Sequence, residues 1–289
     1  MQISDWLGVL QTNKTLDRFM SIALLLLVTL VIQIFYAVHV RPSAEQWSVE
    51  QQALVNADPT YTPTRSILVI IAEPEPEASI IVTVWALLLA ALRVSHASRS
   101  RKLLEEDILQ LQPGSCILPD DARDHLRRFD QLPQHMRETV VPRVLKSALK
   151  RFGATRSIQD AATTVHHSCE IEATRLDSEL STIRFAVWSI PAIGFVGTVR
   201  GLGEALESAQ FVLNSTNPAA LTSGLGLSFN STFTALTLCI LVMYVFHELQ
   251  LIHDRLVLDT EQYAEDELIS RLRTDAAGIT RQLDKMQLR

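Results

Sequence analysis

The sequence predicts an all-α polytopic membrane protein with four transmembrane helices, two of which continue into the cytoplasm as long helices. Apolar residues make up 47% of the 289-residue chain and are concentrated in long segments, as in membrane proteins. The polar segments between them carry apolar positions at helical spacing. Basic residues are divided unevenly among the connecting segments, as the positive-inside rule requires of a multi-pass protein.

The spans follow one another along the chain at uneven intervals. The first covers residues 19–40, is uncharged as far as Val38, and is too long for a signal peptide. Residues 79–94 form the second span. The third and fourth lie within residues 183–247. Each of the four is long enough, alone or with its flanking residues, to cross the hydrocarbon layer as a helix.

The distribution of basic residues predicts the orientation. Residues 41–78 contain two basic residues, whereas the second span ends in a cluster of them, at Arg93, Arg99, Arg101 and Lys102. The rule therefore predicts that residues 1–18, 95–182 and 248–289 are cytoplasmic and that residues 41–78 are periplasmic. Both termini are then cytoplasmic, and the protein is expected in a bacterial inner membrane.

The polar segments predict further helices. Short helices broken at Pro133 and Pro142 are expected within residues 121–152. A periodic stretch beginning at Ser157 should run into the third span as one long helix, and residues 248–289 should continue the fourth span.

The predicted periplasmic segment carries two local signals. Val69-Ile70-Ile71 is typical of a strand. Residues 73–77 alternate glutamate with proline and should be stiff and acidic.

A stripe of small residues marks the third span. On a helix these residues share one face, which lets another helix backbone approach closely, and Gly197 to Gly201 is a GxxxG instance. The stripe consists of Pro191, Gly194, Gly197, Thr198, Gly201, Ala205 and Ser208.

The fourth span has a matching face that is rich in small and hydroxyl residues. It comprises Gly224, Ser228, Ser231, Thr232, Ala235 and Cys239. One interpretation is hydrogen bonding and close packing between helices. The other is a hydroxyl-lined path for a proton or ion, and the mid-span position of Thr198 and Thr232 favours it. Ser228 and Ser231 would line the same path.

Arg200 follows Thr198 within the third span. An arginine at the centre of a span costs about 2.5 kcal/mol or more, which an i,i+4 pair with Glu204 would reduce. Two roles stay open for this pair: a structural salt bridge near the outer interface, or a charge that tunes ion entry or docks a partner.

The sequence contains no pattern that indicates an enzyme. The densest group of ligand-type residues, His166 to Glu170, places adjacent histidines about 100° apart on a helix, which favours a polar helix face over a metal site. Three scattered cysteines have no zinc or disulfide spacing. We therefore predict no catalytic residue, metal or cofactor, and a net charge of −6 gives no indication of nucleic-acid binding.

These two faces resemble the MotA/TolQ/ExbB proton channel family. The family pattern of a proline, glycines and Gly-Thr-Val is matched at Pro191, Gly194, Gly197, Thr198 and Val199. Its second-helix pattern is matched at Gly224, Ser228, Thr232, Ala235 and Leu236. Arg200 departs from the family, in which an apolar residue commonly follows Gly-Thr-Val. The loop signature that contacts a flagellar rotor is also missing.

The resemblance implies a homo-oligomer, a pentamer in such proteins, that encloses helices of a single-span partner of the MotB/TolR/ExbD kind. The partner supplies an aspartate, and Thr198 and Thr232 line the route to it. The expected function is therefore the channel-forming subunit of an inner-membrane motor driven by protons or sodium ions. The alternative is a non-conducting oligomeric membrane scaffold, whose glycines serve helix packing alone.

Overall fold

A computed structural model describes residues 14–57, 66–105, 116–212 and 219–274. These ranges are helical apart from short turns and one isolated β-bridge, and four of the helical segments are long and apolar enough to cross a membrane, which confirms the predicted fold class. The helices are α1 (Lys14–Phe35), α2 (Arg41–Ala57), α3 (Ile67–Ile71), α4 (Pro74–Glu105), α5 (Ala122–Gln131), α6 (Gln134–Arg137), α7 (Val140–Thr155), α8 (Ile158–Glu179), α9 (Ser181–Val212) and α10 (Ala219–Tyr263).

The chain divides into two compact units. The first, here called the membrane unit, consists of residues 15–91 and 181–247. It contains α1, α2, α3 and α9 together with the apolar parts of α4 and α10. The second, called the bundle unit, consists of residues 1–14, 92–180 and 248–289. Its described part contains α5 to α8 and the polar ends of α4 and α10.

The segment that precedes the second span is helical. The strand expected at Val69–Ile71 is wrong, because these residues lie in α3, where the Ser66 hydroxyl caps the helix by accepting a hydrogen bond from the Leu68 amide at 3.3 Å. The glutamate–proline segment opens α4 at Pro74. Proline is well suited to the first helical position, and the acidic residues that follow complement the helix dipole.

Two expectations about helix ends in the bundle unit are wrong. Pro142 does not break a helix, because it lies in the first turn of α7, where a backbone N–H has no helical partner to lose. The long helix expected from Ser157 is interrupted by a turn at Leu180, which separates α8 from α9.

The C-terminal helix is shorter than expected. Helix α10 ends at Tyr263, and a π-helical turn and a 3₁₀ turn carry the chain to Arg271. Leu272 then forms a parallel β-bridge with Ile117. Residues 275–289, which were also expected to be helical, lie outside the described residues.

An apolar core with ionic contacts at its edge holds the bundle unit together. Arg143 of α7 donates to Glu172 of α8 at 2.5 Å, and the Glu172 side chain is only 9% exposed. The core itself is formed by fully buried residues such as Val141, Leu145, Leu149, Phe152 and Val165.

We expect Arg143→Leu to destabilise the chain by about 3 kcal/mol, because it leaves the Glu172 carboxylate buried without a partner. The double variant Arg143→Leu, Glu172→Leu should regain most of this loss, since two apolar groups then replace the pair. Chemical denaturation of the purified chain measures both. Arg127→Leu is the matched control, because its ion pair with Asp124 is exposed and should contribute under about 1 kcal/mol. An equal loss of unfolding free energy in Arg143→Leu and Arg127→Leu would contradict the prediction.

Candidate ion-path site

Helices α9 and α10 approach each other closely along the small-residue stripe. A Cβ atom added to Gly194 would lie 2.5 Å from the Ala235 Cβ and 3.3 Å from the Thr232 Cα. One added to Gly197 would lie 2.9 Å from the Ser231 Cβ. These separations leave no room for a side chain, so the stripe packs against the second small-residue face of the same chain.

The close approach also compensates for the proline inside α9. Pro191 has no N–H, so the Val187 carbonyl four residues earlier lacks its usual helical donor. The Cys239 thiol of α10 donates to this carbonyl at 3.4 Å. A thiol is a weak donor, but it is placed at the one backbone oxygen that the proline leaves without an N–H.

Two threonines meet at the centre of this interface. The hydroxyls of Thr198 and Thr232 are hydrogen-bonded to each other. Thr232 also donates to the Gly194 carbonyl at 2.9 Å, and the Thr198 hydroxyl lies within hydrogen-bonding distance of the carbonyls of Gly194 and Ser228. The structure therefore brings together the two hydroxyls that the sequence singled out, and both stay partly accessible.

The other residues expected at the site lie along the same interface. Ser228 is buried against Gly201, and Ser231 is buried against Gly197. The Ser231 hydroxyl has no hydrogen-bond partner among the described residues. Gly224 lies in α10, but its surroundings are outside the described residues.

Arg200 binds carboxylates from another part of the chain. Its guanidinium lies 2.7 Å from a Glu73 oxygen and 2.9 Å from a Glu75 oxygen. Glu204, the partner expected from the sequence, is the most distant of the three at 3.9 Å. The i,i+4 pair therefore contributes less than the contacts to the start of α4.

Sequence reasoning missed Glu73 and Glu75 because they precede Arg200 by more than 120 residues. One signal could have found them: an acidic segment and a lone arginine both lie near the predicted outer ends of their spans. A second ion pair also joins a distant arginine to a glutamate at the start of α4. Arg41 donates to the buried Glu77 at 3.1 Å.

The charged cluster and the hydroxyl pair are adjacent. Glu75 is buried, and its Cγ lies 3.1 Å from the position that a Gly197 Cβ would occupy, next to Ser231. Thr198 is the next residue along α9. A buried carboxylate, its arginine partner and several hydroxyls therefore line one small region of the membrane unit, and the carboxylate and hydroxyl oxygens are the atoms there that could accept a proton or contact a cation. Among the described residues, no group of three His, Cys, Asp or Glu side chains forms a metal site.

We expect Gly194→Ala to destabilise the chain by about 1–3 kcal/mol, because the new methyl group would overlap Ala235 and the α10 backbone. Gly203→Ala is the matched control on the same helix. It meets nothing within 4 Å, and alanine is favoured over glycine in a helix by about 1 kcal/mol. Thermal unfolding in detergent should thus shift in opposite directions for the two variants. A stabilising effect of both would show that the helices do not depend on this contact.

Arg200→Leu should destabilise the chain by about 1–3 kcal/mol, because Glu75 stays buried without its cation. The expected loss is below that of a fully buried pair, since Arg200 is 41% exposed. Adding Glu75→Leu should restore much of the stability, whereas adding Glu204→Leu should restore little. Thermal unfolding of the three variants decides between the partners, and equal recovery with either second change would refute the assignment of Glu75.

Comparison with known proteins finds one match, and the matched range includes most of α9 and α10. No curated protein and no solved structure matches the chain. Residues 136–262 match the model of one protein family, and the matched range extends from α6 through α9 to the end of α10. The match confirms the resemblance noted in the sequence: residues 136–262, somewhat under half of the chain, match the MotA/TolQ/ExbB proton channel family.

Proposed function

We propose that the chain is the channel-forming subunit of an ion-driven motor in a bacterial inner membrane. It passes protons or sodium ions and couples their flow to the movement of a single-span partner that carries an aspartate. The family match supports the general class of ion channel. The observation that carries the proposal is the Thr198–Thr232 hydroxyl pair with the Arg200, Glu73 and Glu75 cluster beside it.

The charged cluster favours a channel over a scaffold. An interface that serves packing alone is satisfied by glycines, small apolar residues and hydroxyls. Charged groups in a membrane-spanning region are costly and usually mark ion or substrate pathways. Here the buried Glu75 adjoins the Gly197 position, one residue before Thr198. In a scaffold that only packs helices, the buried charge would lower stability and serve no function.

The scaffold remains the second candidate because of one specific observation. The two threonine hydroxyls bond to each other and to backbone carbonyls, which is what helix packing by itself would require. The two functions differ in whether these hydroxyls also serve an ion, and substitution by valine tests that difference.

The exposed apolar surface is consistent with an oligomer around a partner. Both channel-core helices present large apolar side chains outward, including Phe195, Val199 and Leu206 of α9 and Phe229, Phe233 and Ile240 of α10. These faces suit lipid, neighbouring copies of the chain and partner helices. The proposed pentamer, the single-span partner and cytoplasmic termini follow from the family resemblance and from the distribution of basic residues.

We expect the double variant Thr198→Val, Thr232→Val to assemble normally and to lose ion-driven flux by about tenfold or more, because valine keeps the shape and removes the hydrogen-bonding group. Flux is measured in liposomes that contain the chain together with a candidate single-span partner that carries an aspartate, with a proton-sensitive or sodium-sensitive dye inside. Thr237→Val is the matched control, since that threonine is exposed on α10 and bonds only to the Phe233 carbonyl of its own helix. Parental flux in the double variant would refute the role of the two hydroxyls, and a parent chain that passes no ions would favour the scaffold.

A further inference from the structure

A second group of ionisable side chains lies in the bundle unit, just beyond the apolar spans. Three helices contribute to it, and Glu179 at the end of α8 is its centre. Arg93 of α4 donates to one Glu179 oxygen at 2.7 Å, and Arg175 of α8 lies 3.5 Å from the other. Glu179 is therefore held between two cations close to the turn at Leu180.

Two histidines accompany this carboxylate. His96 lies one turn after Arg93 on α4 and is partly buried. His253 of α10 is only 5% exposed, and its Nδ1 atom is buried without a hydrogen-bond partner. His253 also lines a cavity of about 40 Å³ together with Leu176, Asp177, Leu180, Gln250 and Asp254. This volume is large enough to admit a water molecule beside the His253 side chain.

The charges around the histidines act in opposite directions. The pKa of both His96 and His253 lies below the usual histidine value, chiefly because the side chains are buried, and the Glu179 carboxylate opposes this shift. Arg93 lowers the pKa of both imidazoles. The pKa of His96 is lowered further by Arg99 and by His253, whereas Asp254 raises that of His253. Glu179 is thus the one acidic group that favours the protonated form of both histidines.

We propose that Glu179, His96 and His253 form a proton-binding site where three helices leave the apolar spans, and that protons exchange there with the cytoplasm. Each imidazole takes its proton from solvent water and returns it there. The role in ion flow rests on the proposed function. The site itself rests on the contact between Arg93 and Glu179, on the unpaired His253 nitrogen, and on the cavity that His253 shares with Leu176 and Leu180 of the segment that carries Glu179.

The proton-binding part of the proposal can be tested on the purified full-length chain without a partner. Hydrogen–deuterium exchange at the imidazole C2 position, followed by mass spectrometry across a pH series, measures the pKa of each histidine separately. Glu179→Gln should lower the pKa of both His96 and His253, because the shared carboxylate is lost. Arg93→Gln should raise both, because the opposing cation is lost while Arg175 still pairs with Glu179. Because the two variants should shift the histidine pKa values in opposite directions, they separate the effect of Glu179 on the histidines from a general loss of structure.

His166 provides the matched control. It also lies on α8, but its imidazole bonds to Glu261 at 2.8 Å, and Glu261, Glu170 and Glu265 raise its pKa. Glu179→Gln should leave the pKa of His166 unchanged. Glu170→Gln should lower the pKa of His166 and leave those of His96 and His253 unchanged. Unshifted titrations of His96 and His253 in Glu179→Gln would overturn the proposed site.

The role in ion flow is tested separately in liposomes that contain the partner. Glu179→Gln should lower proton flux by about tenfold or more, because the two imidazoles lose the carboxylate that favours their protonated form and so transfer protons less often. Shifted histidine titrations with parental proton flux would overturn the role in exchange. Because the titrations need no ion flow, they decide on the site even if the parent chain passes no ions and the channel is refuted.

Discussion

The membrane unit depends on the distance between α9 and α10. Glycine at positions 194 and 197 removes the side chains that would hold the helices apart. At this distance the Thr232 hydroxyl reaches the Gly194 carbonyl, and the Cys239 thiol reaches the carbonyl that Pro191 leaves without a helical donor. A wider separation would break both contacts in a region where backbone groups have no water to bond.

The second constraint is charge. Arg200 lies on α9 beside the tightly packed interface and needs anionic partners wherever water is scarce. The start of α4 provides them, because proline at the first helical position and glutamates in the first turn are all favourable at a helix N-terminus. Glu73 and Glu75 thus serve the helix that carries them and neutralise an arginine of another helix. The same side chains bring a carboxylate next to the threonine pair, where an ion path requires one.

The bundle unit follows a different principle. Its stability comes from an apolar core in which α7 and α8 contribute fully buried residues, and its ionic contacts lie at the edge of that core. Glu172 and Glu179 are two turns apart on α8, and each is paired with an arginine from another helix. Glu172 faces one cation, which suits a structural contact. Glu179 lies between two arginines and favours the protonated form of two histidines, as the proposed proton-binding site requires.

The sequence by itself determined the local properties of this protein. Hydropathy predicted the spans, helical spacing predicted the small-residue faces of α9 and α10, and the Gly-Thr-Val motif indicated the family, because each of these signals lies within a few helical turns. Only the tertiary structure decided which groups meet across long separations. The pairing of Arg200 with Glu73 and Glu75, the proximity of Thr198 to Thr232 and the bridge from Ile117 to Leu272 depend on how helices pack. The turn at Leu180 and the tolerance of Pro142 in α7 were also misjudged, because a helix end depends on tertiary contacts as well as on residue type.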